Sequence, residues 1–575
     1  MVADVDSPDK HSVLAERLDE AEELALKILA TQPDNPDALN GLGLIHVQQE
    51  RFDEAIELFE RAHAIDADRG DFTENLVKAF DSSAKSMAHA SRFGAAIKTL
   101  ERALVMRPGD EALICRMSFV LSLAKRHGEA LAAADRALSK APESPEALDV
   151  RGLALLGLKQ IDHAIKSFRT ALDYDLTYAP AYSNLGLAYR AQGEHRDAIS
   201  CFDEAIRLDE NNPQAYNNLG ISLLDLNELT QAESALRSAL SIEPDYAEAH
   251  FNLSRVLLMA EDFETGWKEN EWRWLCPEFP STWREFPQKM WQGEDLTGQK
   301  ILIWSEQGIG DEIMLANTLP DIVRDSAGVI IECNDRLVPI FERSFKGVTA
   351  VARSEPPDPR IENADTDFQM PIGSICKIYR KSAEDYPTDR GGYLKADPGQ
   401  TAQIRARYEA LGPGMKVGIC WRSGNPIVGA ERSVPLEMWD GLLSSEGCHF
   451  INLQYGEVNE DIAGVLERTG VEVFKDNAVD PLTSAEDWFA QIAALDHVIS
   501  VDNSTIQVSG SLGIPTWTLL SKVPEWRFGL NRLDHLWHPS IRIFRQHKKG
   551  EWELLMSEIA FTFASLLETE GYVSS

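Results

Sequence analysis

A small residue returns every 34 positions through the first half of this chain: Ala130, Ala164, Ala198 and Ala232, with Gly152, Gly186 and Gly220 keeping the same step. A fixed period of this length predicts stacked helical hairpins, because a single hairpin cannot bury its apolar face alone. Each unit reads as helix A, turn, helix B. Within one unit Tyr182, Leu185, Gly186 and Tyr189, then Ala198, Phe202 and Ala205, fall at three- and four-residue intervals. The small Gly186 and Ala198 let the two helices approach closely. The next unit repeats the pattern with Tyr216, Leu219, Gly220, Leu223, Ala232, Leu236 and Ala239. Pro33, Pro108, Pro142 and Pro244 close units, since proline cannot continue helix B.

These residues resemble the tetratricopeptide repeat, over roughly residues 14 to 275. Ala55 to Ala96 overshoots the period, and the surplus falls around Ser82 to Ser91, a polar, small-residue stretch that either lengthens helix A or loops out of the stack. Gly266 takes the small position of helix B in the last unit, after which Trp267, Trp272 and Trp274 are expected to seal the open end as a packed cap rather than a sugar platform. Asn75, Asn184, Asn218 and Asn252 each precede the leucine of the helix A signature. On the concave face such amides would form a ladder that donates to and accepts from an extended protein segment, or would serve the repeat structure alone.

The chain has 575 residues, 44% of them hydrophobic, enough for a solenoid and two globular lobes. Its net charge of −36 repels a polyanion, so DNA or RNA is not an expected partner. The start, MVADVDSPDK, is acidic and lacks the apolar core of a signal peptide, and no window holds 18 consecutive apolar residues; a cytoplasmic protein with no membrane span is expected. Seven cysteines are scattered without C-x2-C spacing, which predicts reduced thiols rather than a metal site or a disulfide framework.

The domain reading is a solenoid over 1–275, a polar, proline-containing linker over 276–297, then lobes over 298–400 and 401–575. Lys300 to Trp304 is a buried-strand pattern followed by a glycine turn, and apolar runs at 329–333, 416–421, 497–501 and 515–520 alternate with helical stretches, which implies parallel sheets of Rossmann type. The Gly, Pro and polar stretch from Asp397 to Gly414 is the boundary between the lobes.

The first lobe opens with Gly308, Ile309, Gly310 and Asp311. A dinucleotide fingerprint needs a third glycine where Ile313 stands, although Glu332 at the end of the next strand suits a ribose. Asp311 would also repel a pyrophosphate, so it is read as a helix cap or as a catalytic carboxylate. In the second lobe a strand ends at Asp502, read as N-cap or anchor, and leads through Asn503, Ser504 and Thr505 into a helix rich in small residues. Its free N–H groups and hydroxyls suit a phosphate, and Arg422 and Arg432 follow strand ends from which they could reach the same cleft.

The order of GIGDE at 308–312, VGICWRSGNP at 417–426, RSVPLEMW at 432–439, SVDNST at 500–505 and HPSIRIFRQ at 538–546 resembles the heptosyltransferase-like glycosyltransferases, over roughly 298 to 565. The resemblance implies an all-α repeat superhelix followed by an α/β module of two Rossmann-like lobes, the GT-B fold. Joined to such repeats, it is similar to bacterial proteins whose repeats select a protein acceptor, flagellin in one group, and whose second module glycosylates it. It implies Asp311 as general base and Arg432 as donor-phosphate contact. It maps a D-T-x3-H loop onto Asp502 through Gln507, with Asn503, Ser504 and Thr505 holding the donor. Gln507 stands in place of the histidine and cannot carry its charge. The donor expected is a nucleotide-sugar, with no metal and no further cofactor, since no H-E-x2-H motif and no cluster of Cys and His is present. A protein O-glycosyltransferase is the leading reading; a cell-envelope carbohydrate transferase and a scaffold carrying a degenerate module are the alternatives.

Overall fold

The turn between helix A and helix B of successive hairpins places one residue in the left-handed region: Glu50, Ser91, Lys125, Lys159, Gly193, Asn227 and Glu261, with φ of 59°, 55°, 58°, 60°, 86°, 61° and 65°. The residue after each donates its N–H five residues back, as Arg51 does to His46 and Gln160 to Leu155, the Schellman bond that satisfies a helix end. From Ser91 onward these positions keep the 34-residue step; Ser91 follows Glu50 by seven more. Seven residues rotate a helix through about 700°, nearly two whole turns, so the apolar face keeps its phase. The surplus therefore lengthens helix A, which runs Gly70–His89, and does not loop out.

The computed structural model describes residues 8–362, 365–388, 391–426 and 428–573, in two units divided between Ser222 and Leu223. The first unit is all helical. Its hairpins pair Pro36–Gln48 with Phe52–Ile65, Gly70–His89 with Phe93–Met106, Glu111–Leu123 with His127–Leu138, Pro145–Gly157 with Ile161–Tyr174, and Ala179–Gln192 with His195–Leu208. The periodic glycines exist for close approach. A Cβ on Gly152 would lie 2.4 Å from the Phe168 ring, and one on Gly186 2.7 Å from Phe202, so a larger helix A residue would push helix B away.

The second unit holds the helices Leu229–Ile242, Ala247–Met259 and Phe263–Glu269, then two five-stranded sheets in which every pairing is parallel. Strands β1 (Lys289–Met290), β2 (Lys300–Trp304), β3 (Gly328–Cys333), β4 (Val348–Ala352) and β5 (Phe368–Pro371) lie in the order β1-β5-β2-β3-β4. Strands β6 (Met415–Cys420), β7 (Cys448–Asn452), β8 (His497–Val501), β9 (Thr516–Leu520) and β10 (Ile541–Arg545) lie in the order β10-β9-β8-β6-β7. The chain leaves β2 and β6 in one direction and later returns on their other side. That reversal opens a crevice at the carboxyl ends of the strands, where open α/β sheets bind ligands.

The unit division falls ahead of residue 275, and the stretch read as a linker is built into the sheet domain. Residues 289–290 form β1 against β5, while Trp291 and Leu296 are buried in the core. The tryptophans do not close a free end. Trp267 packs edge-on against Trp526 and Trp537, and Trp274 against Trp283 and Trp304 of β2, so they join the last hairpin to the sheets. Trp272 instead stacks on His250, ring centroids 4.0 Å apart. Most of the stretch from Asp397 to Gly414 is the helix Pro398–Glu409, capped by the Asp397 carboxylate on the Gln400 N–H at 2.7 Å. The lobes share one core: buried Ile313, Ile331 and Met370 of the first are continuous with Trp488, Val498 and Trp537 of the second. Arg343 adds a bidentate pair to Glu486, at 3.0 and 2.6 Å. Among the described residues, no helix is long and apolar enough to cross a membrane.

Candidate functional site

Two helix N-termini meet at the carboxyl edges of the sheets. Helix Ile309–Leu315 follows β2 and helix Ser504–Ser511 follows β8. A Cβ on Gly310 would lie 3.5 Å from that of Ser504, ordinary contact, so the two turns touch. Beside them lies a cleft of about 230 Å³ lined by Gly310, Asp311, Arg432, Asp502, Asn503, Ser504 and Gln507, together with Ser423, Gly424, Asn425, Tyr455, Glu525 and Arg527. The left-handed residue of the first turn is Gln307 rather than either glycine. Gly308 serves that turn through its N–H, 3.4 Å from Asp311 Oδ2.

Asp311 has its other oxygen on Arg527, Oδ1 to Nη2 3.0 Å. Arg432 is held by Asp502 at 2.8 Å and by Glu525. Burial raises the Asp502 carboxyl above the usual range, although Arg432 and Arg527 oppose it. Burial would also raise Glu525, but Arg527, Arg432 and Arg255 together hold it below. The three carboxylates are thus interleaved with the guanidiniums of Arg432 and Arg527, with Arg255 bearing on Glu525. Beside Asp311, burial pushes the Glu312 carboxyl up to about 7, against the Asn334 N–H and the Ser305 hydroxyl.

The remaining residues named from the sequence take different places. The Arg422 side chain turns to Asp461 at 3.1 Å and to the Glu457 carbonyl at 2.7 Å, and it does not line the cleft. The cap of the Ser504–Ser511 helix is Asn503 rather than Asp502. Its Oδ1 accepts from the Thr505 N–H at 2.9 Å, and its amide donates to the Arg422 carbonyl at 3.1 Å. Thr505 is thus buried with its N–H already bonded. Gln507 lines the cleft with its carbonyl oxygen 2.8 Å from His538 Nε2, which donates to it. Burial pushes His538 down to about 3, so the imidazole is neutral and does not restore the charge that Gln507 lacks. Glu332, suited by position to a ribose, is fully buried and paired with Arg284.

In the first unit Asn75 donates to Asn40 Oδ1 at 2.9 Å, and Asn184 donates to both oxygens of Asp149 at 2.9 and 3.1 Å. Both acceptors lie 35 residues earlier, on helix A of the preceding hairpin, so these amide N–H bonds tie repeat to repeat. Asn218 is half-buried on the helix Pro213–Leu224, and Asn252 lies in the second unit with a partner of its own.

Sequence reasoning missed Arg527, Glu525, Tyr455 and Asn425. Glu525 and Arg527 follow the end of β9 by five and seven residues, and no motif marks them. Tyr455 has an indirect signature in Gly424: a Cβ there would meet the Tyr455 hydroxyl at 2.5 Å.

Models described as Tetratricopeptide repeat match residues 15–72, 124–181 and 217–265, and one described as TPR repeat matches 186–226. The hairpins over those residues are tetratricopeptide repeats. Protein FlbA of Caulobacter vibrioides is 35% identical over 320 residues, covering 53% of this chain. The chain spans about half, 53%, of that relative's length. Among solved structures, a thermophilic tetratricopeptide-repeat protein of Thermus thermophilus is 20% identical, matching 32% of this chain and 99% of its own with a TM-score of 0.30. PilF of Pseudomonas aeruginosa is 18% identical, matching 36% and 94% with a TM-score of 0.30.

Proposed function

We propose that the sheet module transfers a sugar from a nucleotide-sugar to a serine or threonine of a protein held by the tetratricopeptide repeats, flagellin being the acceptor that the resemblance suggests. The reading rests on one observation: the crevices of two parallel sheets face each other with the Asp311 carboxylate on one side and the Ser504–Ser511 helix terminus with Arg432 and Arg527 on the other. In the transfer, the acceptor oxygen bonds to the anomeric carbon as the carbon–oxygen bond to phosphate breaks. The hydroxyl proton passes to Asp311 and the electron pair leaves with the nucleotide phosphate. The guanidiniums and the helix N-terminus stabilise that departing charge. No cofactor beyond the nucleotide-sugar takes part. The domain roles are those read from the sequence: repeats for the acceptor, 298–400 for the approaching hydroxyl, 401–575 for the donor, in a cytoplasmic protein.

The test is incubation of the purified chain with flagellin and a panel of nucleotide-sugars, followed by intact mass. A mass increase of one sugar, lost in Asp311→Asn, is expected. The absence of both transfer and donor hydrolysis across the panel removes the reading. The scaffold alternative draws on a specific observation: both cleft arginines are already paired with carboxylates, Arg432 with Asp502 and Glu525 and Arg527 with Asp311.

A further inference from the structure

We infer that Arg527 is the cation that receives the donor phosphate, and that its ion pair with Asp311 is a resting latch that phosphate must open before the carboxylate can take a proton. The inference rests on the reading of this cleft given above. Of the other arginines near the crevice, Arg422 faces away, Arg255 bears on Glu525, and Arg432 is committed to Asp502 and Glu525, both from its own lobe. Arg527 is different. Its ion pair is to Asp311, across the cleft on the other lobe, at 3.0 Å. Its other amino nitrogen meets the sulfur of Met314 at 3.8 Å, a poor acceptor, and its Nε is buried with no hydrogen-bond partner among the described residues. The Trp526 ring lies 5.7 Å from the guanidinium carbon and limits where it can turn.

In the pair as it stands, Asp311 Oδ1 is occupied by the guanidinium and Oδ2 faces the Gly308 N–H, so the arginine sits where the hydroxyl proton proposed for Asp311 must arrive. The donor's diphosphate offers Arg527 two negative charges and several acceptor oxygens in place of one carboxylate, and it would draw the guanidinium off Asp311. Donor binding would thus expose the base, and Asp311 would act as a competitor of the donor. That sets an order: donor first, proton transfer afterwards. It also predicts tighter phosphate binding when the charge of the acid is removed at constant size.

The experiment is calorimetric titration of the full chain with inorganic pyrophosphate, UDP, GDP, ADP and CDP, for wild type, Asp311→Asn and Arg527→Gln. Whichever probe binds wild type is expected to bind Asp311→Asn about tenfold more tightly, the effect of about 1.4 kcal/mol, and Arg527→Gln about tenfold or more weakly. Asp311→Asn is the decisive variant, because its partly exposed side chain can lose charge without loss of fold. Equal affinity in wild type and Asp311→Asn overturns the latch but leaves the transferase reading standing if transfer still depends on Asp311. Undiminished binding by folded Arg527→Gln overturns the assignment of the phosphate cation. Should no probe bind either wild type or Asp311→Asn, the latch and the nucleotide-sugar reading both fall.

Discussion

Asp149 lies buried on the helix Pro145–Gly157, with its hydrogen bonds coming from the amide of Asn184. Burial pushes its carboxyl from an ordinary value near 3.8 up to about 7. Between those values the folded chain holds the proton while the unfolded chain releases it. Stability therefore falls as pH rises through the window and levels off above about 7, by about 1.4 kcal/mol for each pH unit crossed. Asp149→Asn can still accept from Asn184 and has no proton to release. Its urea midpoint, relative to wild type, is expected to improve steadily from pH 5 to about pH 7 and then hold; a constant difference throughout would mean Asp149 is ionised when folded. At the cleft, Arg432→Ala leaves Asp502 buried without its 2.8 Å partner. That should cost about 3 kcal/mol of stability, read from denaturant unfolding, in addition to any loss of donor affinity. A variant as stable as wild type would mean Asp502 is neutral in the resting cleft.

At the scale of elements, Gly152→Ala and Gly128→Ala make a matched pair. The first puts a Cβ 2.4 Å from Phe168, while around the second nothing lies within 4 Å. Gly152→Ala is expected to destabilise by about 1–3 kcal/mol. Gly128→Ala, at a helical position in open space, is expected to stabilise by up to about 1 kcal/mol. Equal melting shifts would show that helix packing does not set the glycine period. The hairpins and the strands β2, β3, β6, β8 and β9 were legible because each carries its own period or an unbroken apolar run. Others lacked a local signal: β1 is two residues long, β5 contains Gln369 and ends on Pro371, and β10 alternates Ile541 and Ile543 with arginines. Their pairing is decided by neighbours distant in sequence. The cleft was half legible for the same reason. Asp311, Arg432 and Asp502 follow strand ends, whereas Arg527 sits in a short 3-10 turn and enters the site only through tertiary packing.

For the molecule as a whole, the boundary that composition suggests and the one that packing draws are different. A fragment starting at Pro277 would strip Trp267 from Trp526 and Trp537, and Arg273 from Glu306, a buried bidentate pair at 2.7 and 2.8 Å. Glu306 would then be an uncompensated buried charge two residues before Gly308. That fragment is expected to be insoluble or molten, while one starting at Pro213 melts cooperatively, with heat capacity and tryptophan fluorescence reporting the same transition. Cooperative melting of the shorter fragment would show that the last hairpin is dispensable to the sheets.

The same tryptophan contacts bear on synthesis. Trp267 leaves the ribosome 270 residues before Trp537, its partner in the folded core. At about 5–20 residues per second, the interval is roughly 14 to 54 seconds. Throughout it, the final hairpin carries an apolar face with nothing to cover it, while the repeats upstream can already fold. The nascent chain is thus most prone to aggregate after its first half is complete, and a chaperone that binds aromatic surfaces would find its longest-lived target there.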